Sequence, residues 1–282
     1  MDPITRRGFL GLSAVAGIGA LSHPVRGADA KSQGAAPTGA SAPVETVATP
    51  AVPDEFPTQS PTLAREMVTV SHFNPKRVKE LLEMHPTLAN ASWDWGFGDW
   101  ETALGAASHM GNLEIAQALL QHGARPSIFS AAMLGQLEVV KAFVEASPGV
   151  QATPGPHGIT LLAHAQAGGA GAKPVAKYLV ELGGADPVPK AADVPADVMQ
   201  RYVGVYAFGP RDADRIEIAL NKGQAQFKRG TMMARNLIPL GDNAFHPAGA
   251  PAVRVRFAVE GEKASELTVF DPDLVLRARR VG

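Results

Sequence analysis

The sequence predicts an α+β multidomain protein, an α-helical repeat array followed by a small antiparallel β domain. Three observations carry this. A helix–turn–helix pattern hinged on Gly111-Asn112 returns around Gly135 and again further along. From Val198 onward the apolar period shortens from helical spacing to two. A Pro- and Ala-rich lead precedes both, with too few large apolar residues to offset the entropy of ordering. The chain has 282 residues, 45% hydrophobic and 19% charged, enough apolar material for a sizeable core. Its 29 Gly and 23 Pro point to many turns or an unstructured stretch. With 26 basic and 27 acidic residues the net charge is −1, which argues against a general nucleic-acid binder. Cysteine is absent, which excludes disulfides, thiol nucleophiles, Cys-ligated zinc and iron–sulfur clusters.

The first element is an address. Thr5-Arg6-Arg7-Gly8-Phe9-Leu10 resembles the twin-arginine export motif, and a mildly apolar run, Gly11 to Leu21, follows it. Ala28-Asp29-Ala30 has the small-x-small pattern of a signal-peptidase site. The run is shorter than the ~20 residues a bilayer span takes. Residues 1–30 are therefore expected to be a twin-arginine signal peptide, delivering the protein to the periplasm or the medium. A chain without cysteine suits folding in a reducing cytoplasm before export. Residues 31–60, punctuated by Pro37, Pro43, Pro50, Pro53 and Pro57, are expected to be a disordered Ala/Pro-rich linker. The mature chain shows no further run long enough to span a membrane.

Residues 61–189 read as about four helix pairs. Leu63, Met67 and Val70 make one helix face; Val78, Leu81 and Leu82 make another after Asn74-Pro75. Leu104 and Ala107, the Gly111-Asn112 turn, then Ile115, Ala116, Leu119 and Leu120 make the second unit, closed by Gly123 as a C-terminal glycine. Ile128, Ala131, Gly135, Leu137, Val139, Val140, Phe143 and Val144 repeat the pattern, and Gly158 to Asp186 does so again, its inter-helix turn enlarged by Gly168 to Ala172. Each pair has an apolar face that only a neighbouring pair can bury. Thr102 to Pro126 resembles the ankyrin repeat almost along its length, with Ala103 and Gly105 in place of the Pro and His of its T-P-L-H-x-A opening. The chain thus resembles bacterial exported ankyrin-repeat proteins. The resemblance implies stacked helix pairs, and binding of partners by the inter-repeat loop tips and the adjoining inner helices.

Two insertions interrupt the array. The first, Trp93-Asp94-Trp95-Gly96-Phe97-Gly98-Asp99-Trp100-Glu101, holds all three tryptophans of the chain. Its glycines break any helix and allow tight turns. An aromatic and acidic cluster at a repeat tip is either a binding hot spot or a cap folded over the first unit. The second, Pro148 to Gly158, brings a stiff Pro-Gly-Pro-His-Gly segment before the last unit. His157 is placed to face the first insertion, and with Asp94, Asp99, Glu101 and His109 it would build a polar pocket. Such a pocket means metal binding or acid–base work in some proteins, but no H-x-x-x-H, no H-E-x-x-H and no nucleophile elbow occurs. No catalytic, cofactor-binding or metal-ligating residue is assigned.

Residues 190–282 read as the β domain. Tyr202–Tyr206, Arg215–Leu220, Gln224–Phe227, Leu237–Leu240, Ala244–His246, Val253–Val259, Glu266–Phe270 and Leu274–Arg280 are expected strands, with turns such as Asn221-Lys222-Gly223 and Gly241-Asp242-Asn243 between them. Seven or eight short strands make a meander or a half-open barrel. The order Y-x-G-x-Y, strand, hairpin, leucine-proline turn, F-H and V-x-F resembles the lipocalin-like module behind serine β-lactamase-like hydrolases. Those enzymes keep their chemistry in a preceding domain, and no S-x-x-K motif appears here, so no catalytic residue is carried across.

The functional expectation is a non-enzymatic module that binds a protein or peptide through Trp93, Asp94, Trp95, Phe97, Asp99, Trp100, Glu101, His109, Phe129 and His157. The alternatives are small-ligand binding in the β module near Phe227, Phe245 and Phe257, and an enzyme using the Asp/Glu/His pocket.

Overall fold

The computed structural model describes residues 55–187, 191–272 and 274–282. The expected signal peptide and most of the expected linker lie outside the described residues.

Helices α1 (Pro61–Val70) and α2 (Pro75–Met84) form the first pair. A short antiparallel ribbon of β1 (Ser92–Asp94) and β2 (Trp100–Thr102) follows, then α3 (Ala103–His109) with α4 (Leu113–Gln121), and α5 (Ile128–Met133) with α6 (Leu137–Ala146). The last pair is α7 (Leu161–Ala167) and α8 (Lys173–Leu182). Short polar side chains start these helices. Asn74, Thr102, Asn112, Ser127 and Thr160 each accept a hydrogen bond from a first-turn backbone N–H, satisfying donors the helix itself leaves free.

The predicted stripes are buried: Met67, Val78, Leu81 and Leu82 join Leu104, Ala107, Ile115 and Leu119 in one core, and Ile128, Ala131, Val140, Leu161, Val175 and Leu179 build a second. Val139 and Phe143, read from sequence as part of a buried face, are exposed instead: α6 turns only Val140 fully into the core. Gly111 and Gly135 have positive φ, and a Cβ on either would strike the Ala167 or the Gly171 carbonyl. These two turns therefore need glycine for backbone angle and for close packing of α7 and its following turn.

The C-terminal strands β3 (Gly204–Ala207), β4 (Arg215–Asn221), β5 (Gln224–Arg229), β6 (Arg235–Gly241), β7 (Ala244–Pro247), β8 (Arg254–Glu260), β9 (Lys263–Asp271) and β10 (Leu274–Arg280) run as an antiparallel meander. The meander closes: β10 pairs with β3, making an eight-stranded barrel rather than a half-open one. Arg280 secures the seam by donating to the Ala264 and Val203 carbonyls. Tyr202, Tyr206, Phe245 and Phe257 pack in its core with centroids 4.7–5.8 Å apart, edge to face except for the tilted Tyr202–Phe257 pair. No helix among the described residues is long and apolar enough to cross a membrane.

Candidate functional site

The β1–β2 ribbon pairs Trp93 with Glu101 and Asp94 with Trp100. Alternation across the ribbon then sends Glu101 inward, where it is fully buried, and Trp100 outward, 64% exposed. Between the strands Gly96, Phe97 and Gly98 all have positive φ. This tight tip folds Trp95 back beneath the ribbon and sends Phe97 against Phe227 of the barrel, centroids 5.4 Å apart.

Glu101 is the centre of a convergent cluster. Trp95 Nε1–H donates to its Oε2 at 2.8 Å. His109 Nε2, on the last residue of α3, lies 2.9 Å from Oε1. His72, in the turn after α1, and His157 bring Nε2 to 3.4 and 3.3 Å from Oε2. The His157 contact is close but not a well-formed hydrogen bond, and that nitrogen is buried without a partner.

The far sides of the rings are also fixed. His157 Nδ1 meets Asp99 Oδ2 at 2.7 Å, and its backbone N–H donates to Asp99 Oδ1 at 2.9 Å. His72 Nδ1 meets the Val68 and Thr69 carbonyls at 3.0 and 3.1 Å. His157 sits at φ 59, a left-handed conformation that costs a non-glycine residue about 1–2 kcal/mol. The barrel holds it there: Gly249 lies so close to His157 that a Cβ on Gly249 would approach its Cα to 3.2 Å. Arg235, the first residue of β6, donates to Asp99 Oδ2 and to the Ala248 carbonyl.

The electrostatics follow from this packing. Burial pushes the Glu101 carboxyl up, but the His109 and His157 contacts outweigh it and lower it to about 2. Burial works against a charged His157, yet the carboxylates of Asp99 and Glu101 raise it to about 9. Asp99 is likewise desolvated, but the His157 ring and backbone and the Arg235 charge hold it below the usual carboxylate range. His164, fully buried beside Phe129 and His109, is pushed down by burial and stays neutral.

Beside this cluster lies a cleft of about 200 Å³ at the barrel mouth. Trp95, Gly96 and Phe97 form one wall; Ile216, Phe227, Met232, Leu276 and the guanidinium-bearing Arg229 and Arg235 form the other. Arg235 is 7% exposed, and its Nε and Nη2 have no partner.

The structure brings Asp99, Glu101, His109 and His157 of the expected polar pocket together and adds Trp95, whereas Asp94 stays out of it, its Oδ1 accepting from the Gly96 backbone N–H instead. Trp95, Asp99 and Glu101 are buried, while Trp93, Asp94 and Phe97 are half-buried. Phe129 is not among the groups around Glu101; it packs on His164, ring centroids 4.8 Å apart and planes tilted at 44°. Phe97, Asp99 and His157 meet the barrel, so the array turns this part of its loop face onto its own C-terminal domain. Of the three phenylalanines expected near a barrel cavity, Phe227 lines the cleft, whereas Phe245 and Phe257 fill the barrel core.

Sequence patterns missed His72, Arg235 and His164. One signal for His72 was present. Ser71-His72 closes the first helix of its pair as Ser108-His109 does in the next, and both serines bond back to the carbonyl four residues earlier. The donors come from four separate segments, so no local motif could show them as a set. His72, Glu101, His109 and His157 each offer a ligand atom within 4.8 Å of the others, a grouping able to hold a metal ion.

The ankyrin repeat model matches residues 99–130, which include Asp99, Glu101 and His109. An ankyrin repeat joined to a closed antiparallel barrel is present in the chain. Ankyrin repeats are typically non-catalytic binding modules, and the match suggests interaction with protein. No curated protein and no solved structure matches the chain.

Proposed function

We propose that the chain is a non-enzymatic binding protein exported to the periplasm, and that its ligand is a small amphipathic anion held in the cleft between ribbon and barrel. One observation carries this: an apolar cleft lined by two arginines, of which Arg229 is exposed at its edge and Arg235 is buried in its wall. The exposed Arg229 guanidinium would meet an acidic group of a ligand while the apolar part meets Phe97, Phe227 and Leu276. Export is supported by the Arg6-Arg7 motif, the apolar run and Ala28-Asp29-Ala30. The fluorescent anion 1-anilinonaphthalene-8-sulfonate tests the cleft. The expected result is saturable binding to one site that Phe227→Trp blocks by filling the space. Binding unaffected by Phe227→Trp would overturn the reading.

A protein or peptide partner is the second reading, favoured by the ankyrin match and by Trp100, large, apolar and exposed beside the matched repeat. The barrel covers Phe97 and Asp99, so such a partner would engage the Trp100 side of the ribbon. Capture from periplasmic extract by the wild type but not by Trp100→Ala supports it; equal capture refutes it.

A further inference from the structure

Three imidazole nitrogens and one carboxylate converge on a point inside the array. The proton positions make that convergence informative. The partners of His72 Nδ1 are carbonyl oxygens, and the partner of His157 Nδ1 is a carboxylate oxygen. Both partners accept only, so each Nδ1 carries a proton. Each ring therefore turns Nε2 toward Glu101, and in a neutral ring that nitrogen is a lone pair. Lone pairs aimed at a buried carboxylate repel it unless positive charge lies between them. Protons or a metal ion supply that charge.

The geometry and the outer contacts favour a metal. A zinc–nitrogen bond of about 2.0–2.1 Å sets tetrahedral ligand atoms about 3.3 Å apart. His72 Nε2 and His157 Nε2 lie 3.4 and 3.3 Å from Glu101 Oε2, and His109 Nε2 lies 2.9 Å from Oε1. Metal-bound histidines usually give their other N–H to a carboxylate or a carbonyl, which fixes ring and tautomer. Asp99 does this for His157, and the α1 carbonyls do it for His72. Trp95 Nε1–H donates to Oε2 of the same carboxylate and fixes its orientation.

We propose that His72, His109 and His157, through Nε2, and Glu101, through its carboxylate, hold one first-row divalent transition ion such as Zn2+. Three imidazoles and a carboxylate suit such an ion better than Ca2+ or Mg2+, which take oxygen ligands. All four ligands come from the protein, as in structural rather than catalytic zinc sites. The ion would tie α1, the ribbon, α3 and the turn before α7 to one point. It would act as a staple across the array, and it stands independently of the cleft reading.

The test uses the full chain, stripped with a chelator and titrated with Co2+ and then Zn2+, without any cleft ligand. The expected result is one equivalent of Co2+ with the visible bands of a four-coordinate site, displaced by Zn2+, and a higher melting temperature on loading. His72→Gln, at a partly exposed position, should abolish the bands, while His122→Gln, exposed and outside the cluster, should leave them. Asp99→Asn keeps all four ligands and should weaken binding about 10–100-fold, the usual loss for an outer-shell partner. A folded, stripped chain that takes up no Co2+ overturns the proposal. So does Co2+ bound equally well by wild type and His72→Gln. If the dye binds the cleft and Co2+ does not bind, the metal fails alone; the reverse result fails the cleft alone.

Discussion

His72 and His109 stack edge to face, ring centroids 4.9 Å apart and planes at 66°. They do so because each lies at the C-terminal end of the first helix of its pair, His109 as the last residue of α3 and His72 two residues past α1, and consecutive pairs lie one on the next. Repeat stacking thus converts a recurring Ser-His into two neighbouring imidazoles. The ribbon inserted between the pairs supplies Glu101 beneath them, and the insertion before α7 supplies His157 from the side. A fold usually read as a protein-binding scaffold builds a buried polar centre in this way.

Leu119 is fully buried in the first core. Leu119→Ala should cost about 2–5 kcal/mol through lost burial and the cavity left behind. Urea unfolding followed by circular dichroism measures it, and a change near zero would contradict the stacked core.

Gly135 and Gly123 both have positive φ, but only Gly135 has a neighbour in the path of a Cβ, the Gly171 carbonyl. Gly123→Ala should lose about 1–2 kcal/mol from backbone strain alone. Gly135→Ala should lose clearly more. Equal losses by thermal unfolding would mean that the α7 turn does not pack on Gly135.

Asp99 and Arg235 join array to barrel at 4% and 7% exposure. Arg235→Gln removes one of the two positive partners of the buried Asp99 and leaves the His157 ring, so it should cost less than the about 3–5 kcal/mol of a buried charge left without any partner. In Asp99→Asn/Arg235→Gln the charge mismatch is gone, so the double loss should fall short of the sum of the singles. Additive losses would show that the two side chains do not interact.

His164 sets an acid limb. Burial lowers its folded pKa below 6.5, with His109 adding to the shift and the Thr160 carbonyl and Glu101 opposing it. Below pH 6.5 the unfolded chain binds a proton that the folded chain refuses, so stability falls as pH drops. His164→Asn removes that proton uptake. The stability difference between variant and wild type should therefore shift in the variant's favour as pH falls from 7 to 5. Parallel curves across that range would refute the assignment.

Much of the architecture was legible in residues one after another. The apolar stripes of Ile115–Leu120 and Ile128–Val144 announce helix pairs because they recur at helical spacing. Gly111 and Gly135 announce turns because only glycine fits there. The eight strands were visible through two-residue alternation and turn signals such as Asn221-Lys222-Gly223. Closure was not, because β10 meets β3 across the whole domain and leaves no local trace. The candidate site was half legible. His157, Asp99, Glu101 and His109 were gathered from an unusual insertion and a stiff Pro-Gly-Pro-His-Gly segment. Arg235, on the far domain, carried no pattern that separated it from an ordinary strand arginine.

The sequence by itself determined the helix pairs, the strands and the composition of the ribbon, since capping, glycine geometry and apolar periodicity act within a few residues. Tertiary structure decided which way the ribbon faces, that its tip meets the barrel instead of solvent, and that Glu101 lies among three imidazoles. Those outcomes depend on burial shared between segments far apart in the chain. A carboxylate reads the same in sequence whether it ends in water or at the centre of a core. Only the packing around Glu101 removes the water and leaves histidines and an indole to replace it.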